Sequence, residues 1–178
     1  IKLNINMNKK ISVVIRCKNE ERWIGHTIQS VLDLVPENEI LVVDNNSQDK
    51  SLEIVQQFRS NPALEENKIK YSNIKILNID NYSPGSALNK AAKVSSSDYL
   101  MFLSSHCVLT KFDSESILDK LKHYAAIFGN QDPVYRGQKI TKRYLWSHFS
   151  SEKVENMYSE MEQRYFFHNA LSIMPKEV

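Results

Sequence analysis

Tyr99-Leu100-Met101-Phe102-Leu103 runs directly into Ser104-Ser105-His106-Cys107, and this break from apolar run to polar cluster decides the fold. The same break occurs twice earlier. Ile11-Ser12-Val13-Val14-Ile15 meets Arg16-Cys17-Lys18-Asn19-Glu20-Glu21, and Ile40-Leu41-Val42-Val43 meets Asp44-Asn45-Asn46-Ser47-Gln48-Asp49. Short, β-branched-rich runs read as strands of a buried parallel sheet, and polar residues at their carboxyl ends read as the lining of a ligand crevice. Three such ends predict one site.

Helix-like segments separate the runs. Glu20 to Leu34 places Trp23, Ile24, Ile28, Val31 and Leu32 at helical spacing, and Lys50 to Phe58 does the same with Ile54, Val55 and Phe58. Ser47 or Asp49 is the expected N-cap of the second helix. A polar connection, Arg59 to Ser72, precedes a strand at Ile74–Ile79; Pro84-Gly85 then reads as a turn before an Ala-rich helix through Ala87, Leu88, Ala91 and Ala92. Beyond the fourth strand, Asp113 or Ser114 is expected to cap a helix carrying Ile117, Leu118, Leu121, Ala125 and Phe128. This βαβαβαβ order predicts an α/β fold, a mostly parallel sheet with helices on both faces and right-handed crossovers. Gln131 to Gly137 reads as loop or edge strand, Glu152 to Arg164 as a charged helix, and Ala170–Met174 as a last strand ending on Pro175.

Length and composition narrow the class. The 178 residues are enough for one well-cored domain, and a hydrophobic fraction of 42% with 25% charged residues is ordinary for a globular protein. Residues 1–9, polar and lacking a Met at position 1, read as a disordered or vector-derived start, with 10–178 as a single domain. A formal charge of +2 argues against nucleic acid as the partner. Cys17 and Cys107 form no CxxC pair, so neither a zinc site nor a disulfide framework is expected, and a reducing, cytoplasmic setting follows. No run approaches the roughly 18 apolar residues of a membrane span, although peripheral contact with a membrane needs none.

With only four glycines, Gly25, Gly85, Gly129 and Gly137, the chain has neither a GxGxxG turn nor a GxxxxGK[ST] loop. HExxH, GxSxG and kinase signatures are missing too. A polar crevice without a Gly-rich cradle must hold its ligand with side chains, which suits a nucleoside base and ribose with phosphates met by a metal or basic groups.

At this point the residues resemble a family. Ile11-Ser12-Val13-Val14-Ile15-Arg16-Cys17-Lys18-Asn19-Glu20-Glu21 is similar to the "SVVIPxYNEE" strand of inverting family-2 glycosyltransferases with the GT-A fold. Leu41 to Asp49 is similar to their "VVDDGSTD", Gly85 to Ala91 to their "GxxxARNxG", and Asp98 to Leu103 to the strand carrying their DxD. The resemblance covers roughly residues 10 to 110, with the four motifs in order, and makes 10–110 the nucleotide-sugar-binding half and 111–178 a partial acceptor-side half. Trp23-Ile24-Gly25-His26 and Ser105-His106-Cys107 suggest a subgroup acting on bacterial surface polysaccharides, capsule or lipopolysaccharide.

The resemblance implies a nucleotide-diphosphate-sugar donor, UDP-sugar favoured, and a glycan or lipid-linked acceptor. Arg16 and Glu20 would lie beside base and ribose, and Asp44 and Asn45 would bond the base or ribose edge. Asn89 would orient backbone near the phosphates. Each has a plain structural alternative: an Asx turn for Asp44 and Asn45, a helix-dipole carboxylate for Glu20, a cap for Asn89. The chain departs from the family at the DxD, where Ser104 and His106 stand for the two Asp residues. In the family those carboxylates hold a divalent cation, Mg2+ or Mn2+, on the diphosphate. A hydroxyl and an imidazole are poor ligands for Mg2+; His106 could ligate the softer Mn2+ or act itself as cation or hydrogen-bond donor.

His26 reads as surface, and His168 as packing or as part of an acceptor cleft. Cys107 reads as a small buried apolar residue. Arg136, Lys139, Lys142 and Arg143 read as a solvated basic face that could also clamp an anion. An inverting transfer needs a general base, supplied in the family by a later acidic motif. None follows Cys107, so the base is expected beyond Val178, in a longer enzyme whose N-terminal part could bind donor without transferring sugar. Two rivals remain at this stage, a degenerate nucleotide-sugar- or glycan-binding module and a sugar-1-phosphate nucleotidyltransferase. The latter usually opens on a Gly-rich basic loop that this chain lacks after Ile15.

Overall fold

The computed structural model describes residues 11–35, 38–60, 73–139, 153–160, 163–165, 167–168 and 170–177. The alternation read from the sequence is present. Strand β1 (Ile11–Cys17) leads to helix α1 (Ile24–Leu34), β2 (Asn38–Asp44) to α2 (Ser51–Arg59), and β3 (Asn73–Asn78) to α3 (Pro84–Val94). β4 (Tyr99–Ser104) and α4 (Ser114–Lys120) follow. The remaining strands are β5 (Ile127–Phe128), β6 (Val134–Tyr135), β7 (Gln138–Lys139), β8 (Tyr158–Ser159), β9 (Arg164–Tyr165) and β10 (Leu171–Pro175).

The main sheet has six strands in the order β3-β2-β1-β4-β10-β5. β3, β2, β1 and β4 are mutually parallel; β10 runs antiparallel to both β4 and β5. Both sheet faces are covered, which explains why these strands are continuously apolar rather than alternating. Val13, Ile15, Ile40, Val42, Met101 and Leu103 face α1, α2 and α4; Ile24, Ile28 and Val31 of α1, Val55 of α2 and Leu121, just after α4, complete that core. Val14, Leu41, Val43, Leu100 and Phe102 face α3 through Ala87 and Ala91. Each large side chain buried this way contributes roughly 1.5–3 kcal/mol.

Several boundaries differ from the sequence expectation. The first helix begins at Ile24, after a turn over Glu21–Trp23, because the amides of Glu20 and Glu21 donate to Ser51 Oγ and Asp49 rather than standing free for a helical turn. Pro84 opens α3 itself, at the first helical position, with Ser83 and Ser86 forming a reciprocal cap. α4 is capped by Asp113 as expected, yet it stops at Lys120. Ile127 and Phe128 leave the helical pattern to pair with Ile173 and Ser172 of β10, so tertiary pairing overrides the local period. The close approach there requires glycine next: a Cβ on Gly129 would lie 2.4 Å from a Leu171 methyl. Nor is there a helix over the described part of Glu152 to Arg164; β8 and β9 pair there, with Tyr158 and Tyr165 packed edge to face at 5.5 Å. Of the basic stretch, Lys142 and Arg143 lie outside the described residues.

The amino end of the sheet holds a buried charge. Glu39 is 5% exposed. It accepts from Ser12 Oγ at 2.5 Å, Lys75 Nζ at 2.7 Å and the Ser96 amide at 3.1 Å. Ser95 Oγ donates to Ser12 Oγ, and Lys176 Nζ to the Ser95 carbonyl, joining five segments in one network. Burial pushes the Glu39 carboxyl up, but the bonds from Lys75, Ser12 and Ser96 together hold it below its ordinary value.

Candidate donor site at the carboxyl ends of the parallel strands

The chain moves outward from β1 to β2 and β3, then crosses back to place β4 on the other side of β1. The strand order therefore reverses between β1 and β4, and ligands of open α/β sheets bind outside the strand ends at such a switch point. Register puts Arg16 of β1 directly beside Ser104 of β4 and Cys17 beside Asp44 of β2. All three polar clusters picked out in the sequence thus meet at one edge. Arg16 and Ser104 share the face that carries Val14 and Phe102, toward α3; Asp44 lies on the opposite face with Val42.

The loops after β1 and β2 are laced together. Asn19 and Asn46 both sit at φ 53°, left-handed backbone that Asn tolerates better than most residues. Ser47 is the hub. Its amide donates to Asp44 Oδ2 at 3.0 Å, its hydroxyl donates to Asp44 Oδ1 at 2.5 Å, and it accepts from the Asn19 amide at 3.0 Å. Asn19 Oδ1 in turn accepts from the Gln48 amide, and Lys18 Nζ donates to the carbonyls of Asn45 and Asn46. Further along, Asp49 accepts from the Glu21 amide and from Ser51, while Glu21 accepts from the Lys50 amide. Burial raises the Asp49 carboxyl, but the hydrogen bonds of Ser51 and the Glu21 amide hold it below the usual carboxylate range. Lys50, the residue before α2, gives no side-chain cap; Asp49, one residue earlier, satisfies the first amide instead.

This network sorts the sequence candidates. Asp44 is 1% exposed and both of its oxygens are turned into its own loop, the Asx-turn geometry. Asn45 is half-buried, and its side chain has no protein partner among the described residues. Arg16, also half-buried, likewise makes no side-chain bond or ion pair among them. Asn89 is exposed on α3, off the stripe formed by Ala87 and Ala91, and among the described residues no hydrogen bond ties its side chain to the strand ends.

The loop after β4 is pinned from three sides. The Cys107 amide closes a turn on the Ser104 carbonyl at 2.9 Å, and Thr27 Oγ1 of α1 donates to the Ser105 carbonyl at 2.7 Å. The Leu109 amide donates to Ser30 Oγ. On the far side, the Ser104 amide donates to the carbonyl of Ala170, just before β10, at 2.9 Å. From this turn the exposed His106 reaches back to Glu20: Nδ1 lies 3.4 Å from Glu20 Oε1. Cys107 and Cys17 are both raised from the ordinary thiol value, chiefly by burial and also by nearby Glu20, so neither is poised as a thiolate.

Ala170 brings a residue the sequence placed only loosely. His168 Nδ1 accepts from the Ala170 amide at 3.1 Å and faces Gln131 Nε2. An amide can only donate, so this imidazole is neutral with its proton on Nε2. Half-burial also lowers its affinity for a proton. Its place next to the Ser104 partner could not be read from sequence, because it depends on the antiparallel return of β10.

Among the described residues no three His, Cys, Asp or Glu side chains group together as a metal cage. At the DxD-equivalent position the donor set is one hydroxyl and one imidazole already facing a carboxylate. That set does not fit a Mg2+ or Mn2+ site of the kind the family pattern implies, where anionic oxygens come from the protein.

The comparison with known families matches the "Glycosyl transferase family 2" model to residues 12–177. The chain belongs to glycosyl transferase family 2. Family-2 relatives include the poly-beta-1,6-N-acetyl-D-glucosamine synthase of Staphylococcus epidermidis, 31% identical over 100 residues, which are 56% of this chain and 22% of that protein. The poly(ribitol-phosphate) beta-glucosyltransferase of Bacillus spizizenii is 31% identical over 101 residues, 54% of this chain and 14% of that protein. The chain therefore spans only about a fifth or less of these two curated relatives. Among solved structures, S. aureus TarS 1-349 in complex with UDP-GlcNAc superposes with a TM-score of 0.66 at 22% identity, over 94% of this chain and 45% of that one. The mannosyltransferase PcManGT of Pyrobaculum calidifontis, in complex with GDP-Man and Mn2+, gives 0.60 at 14% identity, over 95% and 45%. At these identities the likeness is one of fold: this family-2 chain has the GT-A architecture.

Proposed function

We propose that this chain is the donor-binding part of an inverting glycosyltransferase that takes a sugar from a nucleotide diphosphate, UDP-sugar favoured, to a glycan or lipid-linked acceptor of the bacterial surface. The observation that carries the reading is Arg16 lying beside Ser104 at the β1/β4 switch point, with Asn45 and His106 on the loops that follow β2 and β4 at the same edge of the sheet. Family membership and the sugar-polymer relatives support it, and UDP-GlcNAc is bound in a TarS structure of the same fold.

In this reading Asn45 presents an amide, both donor and acceptor, to the base, and Arg16 lies between base and phosphates. Asp44 serves by holding the loop that carries Asn45. Ser104 and His106 meet the diphosphate, whose negative charge grows as the sugar departs. The acceptor hydroxyl attacks the anomeric carbon from the opposite side, inverting it. The enzyme works on the cytoplasmic side, peripheral to the membrane if its acceptor is lipid-linked; no described helix is long and apolar enough to cross one.

Calorimetric titration with UDP-GlcNAc and GDP-mannose tests this. Binding of UDP-GlcNAc with a Kd below about 1 mM, and weaker binding of GDP-mannose, is the expected result. No heat with any nucleotide sugar would sink the donor-site reading.

A further inference from the structure

His106 is held in a way that its sequence position does not announce. The turn that carries it is fixed by the Ser104–Cys107 bond, by Thr27 and by the Ala170 carbonyl, so its backbone is placed before any ligand arrives. Its Nδ1 edge faces Glu20 Oε1 at 3.4 Å, while 60% of the side chain is exposed. Glu20 is itself anchored, with its amide bonded to Ser51 Oγ at 2.7 Å and its carbonyl accepting the amides of Trp23 and Ile24. A carboxylate on one ring nitrogen fixes the ring's orientation and leaves Nε2 as the group turned outward. Arg16, register partner of Ser104, adds a positive charge at the same strand end, with no carboxylate of its own among the described residues.

We propose that Glu20 is a positioning residue that holds His106 through Nδ1, so that Nε2–H is presented to the donor diphosphate and, together with Arg16, neutralises it without a divalent cation. The inference rests on the nucleotide-sugar reading above. It answers how a family-2 chain without its acidic pair manages the leaving group: a guanidinium and an imidazole N–H take the place of a metal held by carboxylates. Protein carboxylates at the β4 end would repel the diphosphate unless a metal intervened; their replacement by a hydroxyl and an imidazole removes that repulsion along with the cage.

The test is calorimetric titration of the 178-residue chain with UDP and with uridine, each in EDTA and in Mn2+. UDP is expected to bind in EDTA within about threefold of its affinity in Mn2+. His106→Ala should weaken UDP about tenfold or more while changing uridine less than twofold, the loss of one charge-assisted bond to phosphate. Glu20→Gln should weaken UDP several-fold, again sparing uridine. It should also shift the His106 ring-nitrogen resonances in 15N NMR, a readout that a purely structural role for Glu20 would leave in place. UDP binding that vanishes in EDTA and returns with Mn2+ overturns the inference, as does a Glu20→Gln protein with unchanged UDP affinity and ring resonances. Absence of UDP binding under every condition overturns the nucleotide-sugar reading and this inference with it.

Discussion

The two ends of the parallel sheet are both polar, yet they spend their polarity differently. At the amino end, Glu39 is buried and enclosed by Ser12, Lys75 and Ser96, with Lys176 closing the network through Ser95. At the carboxyl end, Asp44, Ser47, Asp49 and Ser51 are likewise consumed by one another, but Arg16 and Asn45 beside them are left unpaired among the described residues. The amino end is closed bonding; the carboxyl end is bonding arranged to hold other groups out. An end whose charge is enclosed by its own donors has little charge left to offer a ligand, whereas one that stiffens its loops and leaves selected side chains uncommitted is ready for one.

Substitutions should break this contrast unequally. The largest expected effect is Glu39→Ala, which strands Lys75 and the Ser12 and Ser96 donors. Loss of about 3 kcal/mol in urea unfolding is expected, at the low end for a broken buried pair because Lys75 is partly exposed and can rehydrate, with donor affinity unchanged. Its pH signature is fixed in sign. The folded carboxyl lies below its ordinary 4.5, so this stabilisation is fully present above the unfolded value and fades as pH falls through the folded one. Unfolding followed down from pH 6 should show that acid loss in the wild type and a shallower one in Glu39→Gln. Next, Ser47→Ala removes the hub between the two loops. It should cost about 1–2 kcal/mol and also weaken UDP binding, a joint loss that the amino end should never give. Smallest in stability is Asn45→Ala: the melting temperature should stay within about 1 °C while affinity for both UDP and uridine falls roughly tenfold, since an uncommitted side chain costs the fold nothing. A matched loss of stability in Asn45→Ala would erase the distinction between the two ends.

The comparison also explains what the sequence made legible. Strands β1, β2 and β4 announce themselves because a strand covered on both faces must be apolar throughout, and the sharp change at Arg16, Asp44 and Ser104 marks where cover ends. What lay hidden depends on contacts between distant residues. Glu39 is one charge ahead of an apolar run until Ser12, Lys75 and Ser96 converge on it. Residues 127–128 keep helical spacing with Ile117 and Leu121, yet β10 recruits them as a strand. Glu152 to Arg164 is rich in helix-favouring charge, but Tyr158 and Tyr165 pair across a hairpin. Asp44 and Asn45 look equivalent as neighbours in one motif; only the position of Ser47 separates the residue that builds the loop from the one it displays. The candidate residues were legible as types at strand ends, whereas the pairing of His106 with Glu20 required the fold.

The bond from the Ser104 amide to the Ala170 carbonyl has a consequence in time as well as in space. Ribosomes deliver residues in order, and the first three strands can assemble while the rest of the chain is still being made. β4 cannot be completed so early, because one of its two neighbours is a segment some seventy positions downstream. Until Leu171–Pro175 arrives, Tyr99–Ser104 is an edge with open amides and apolar faces, the kind of surface that invites pairing with another chain. The late-arriving Leu171–Pro175 segment, with Ala170 before it, is therefore the one that both seals that edge and sets the backbone under the turn carrying His106. Exposure to misassembly ends in the same event that fixes the backbone of the loop after β4.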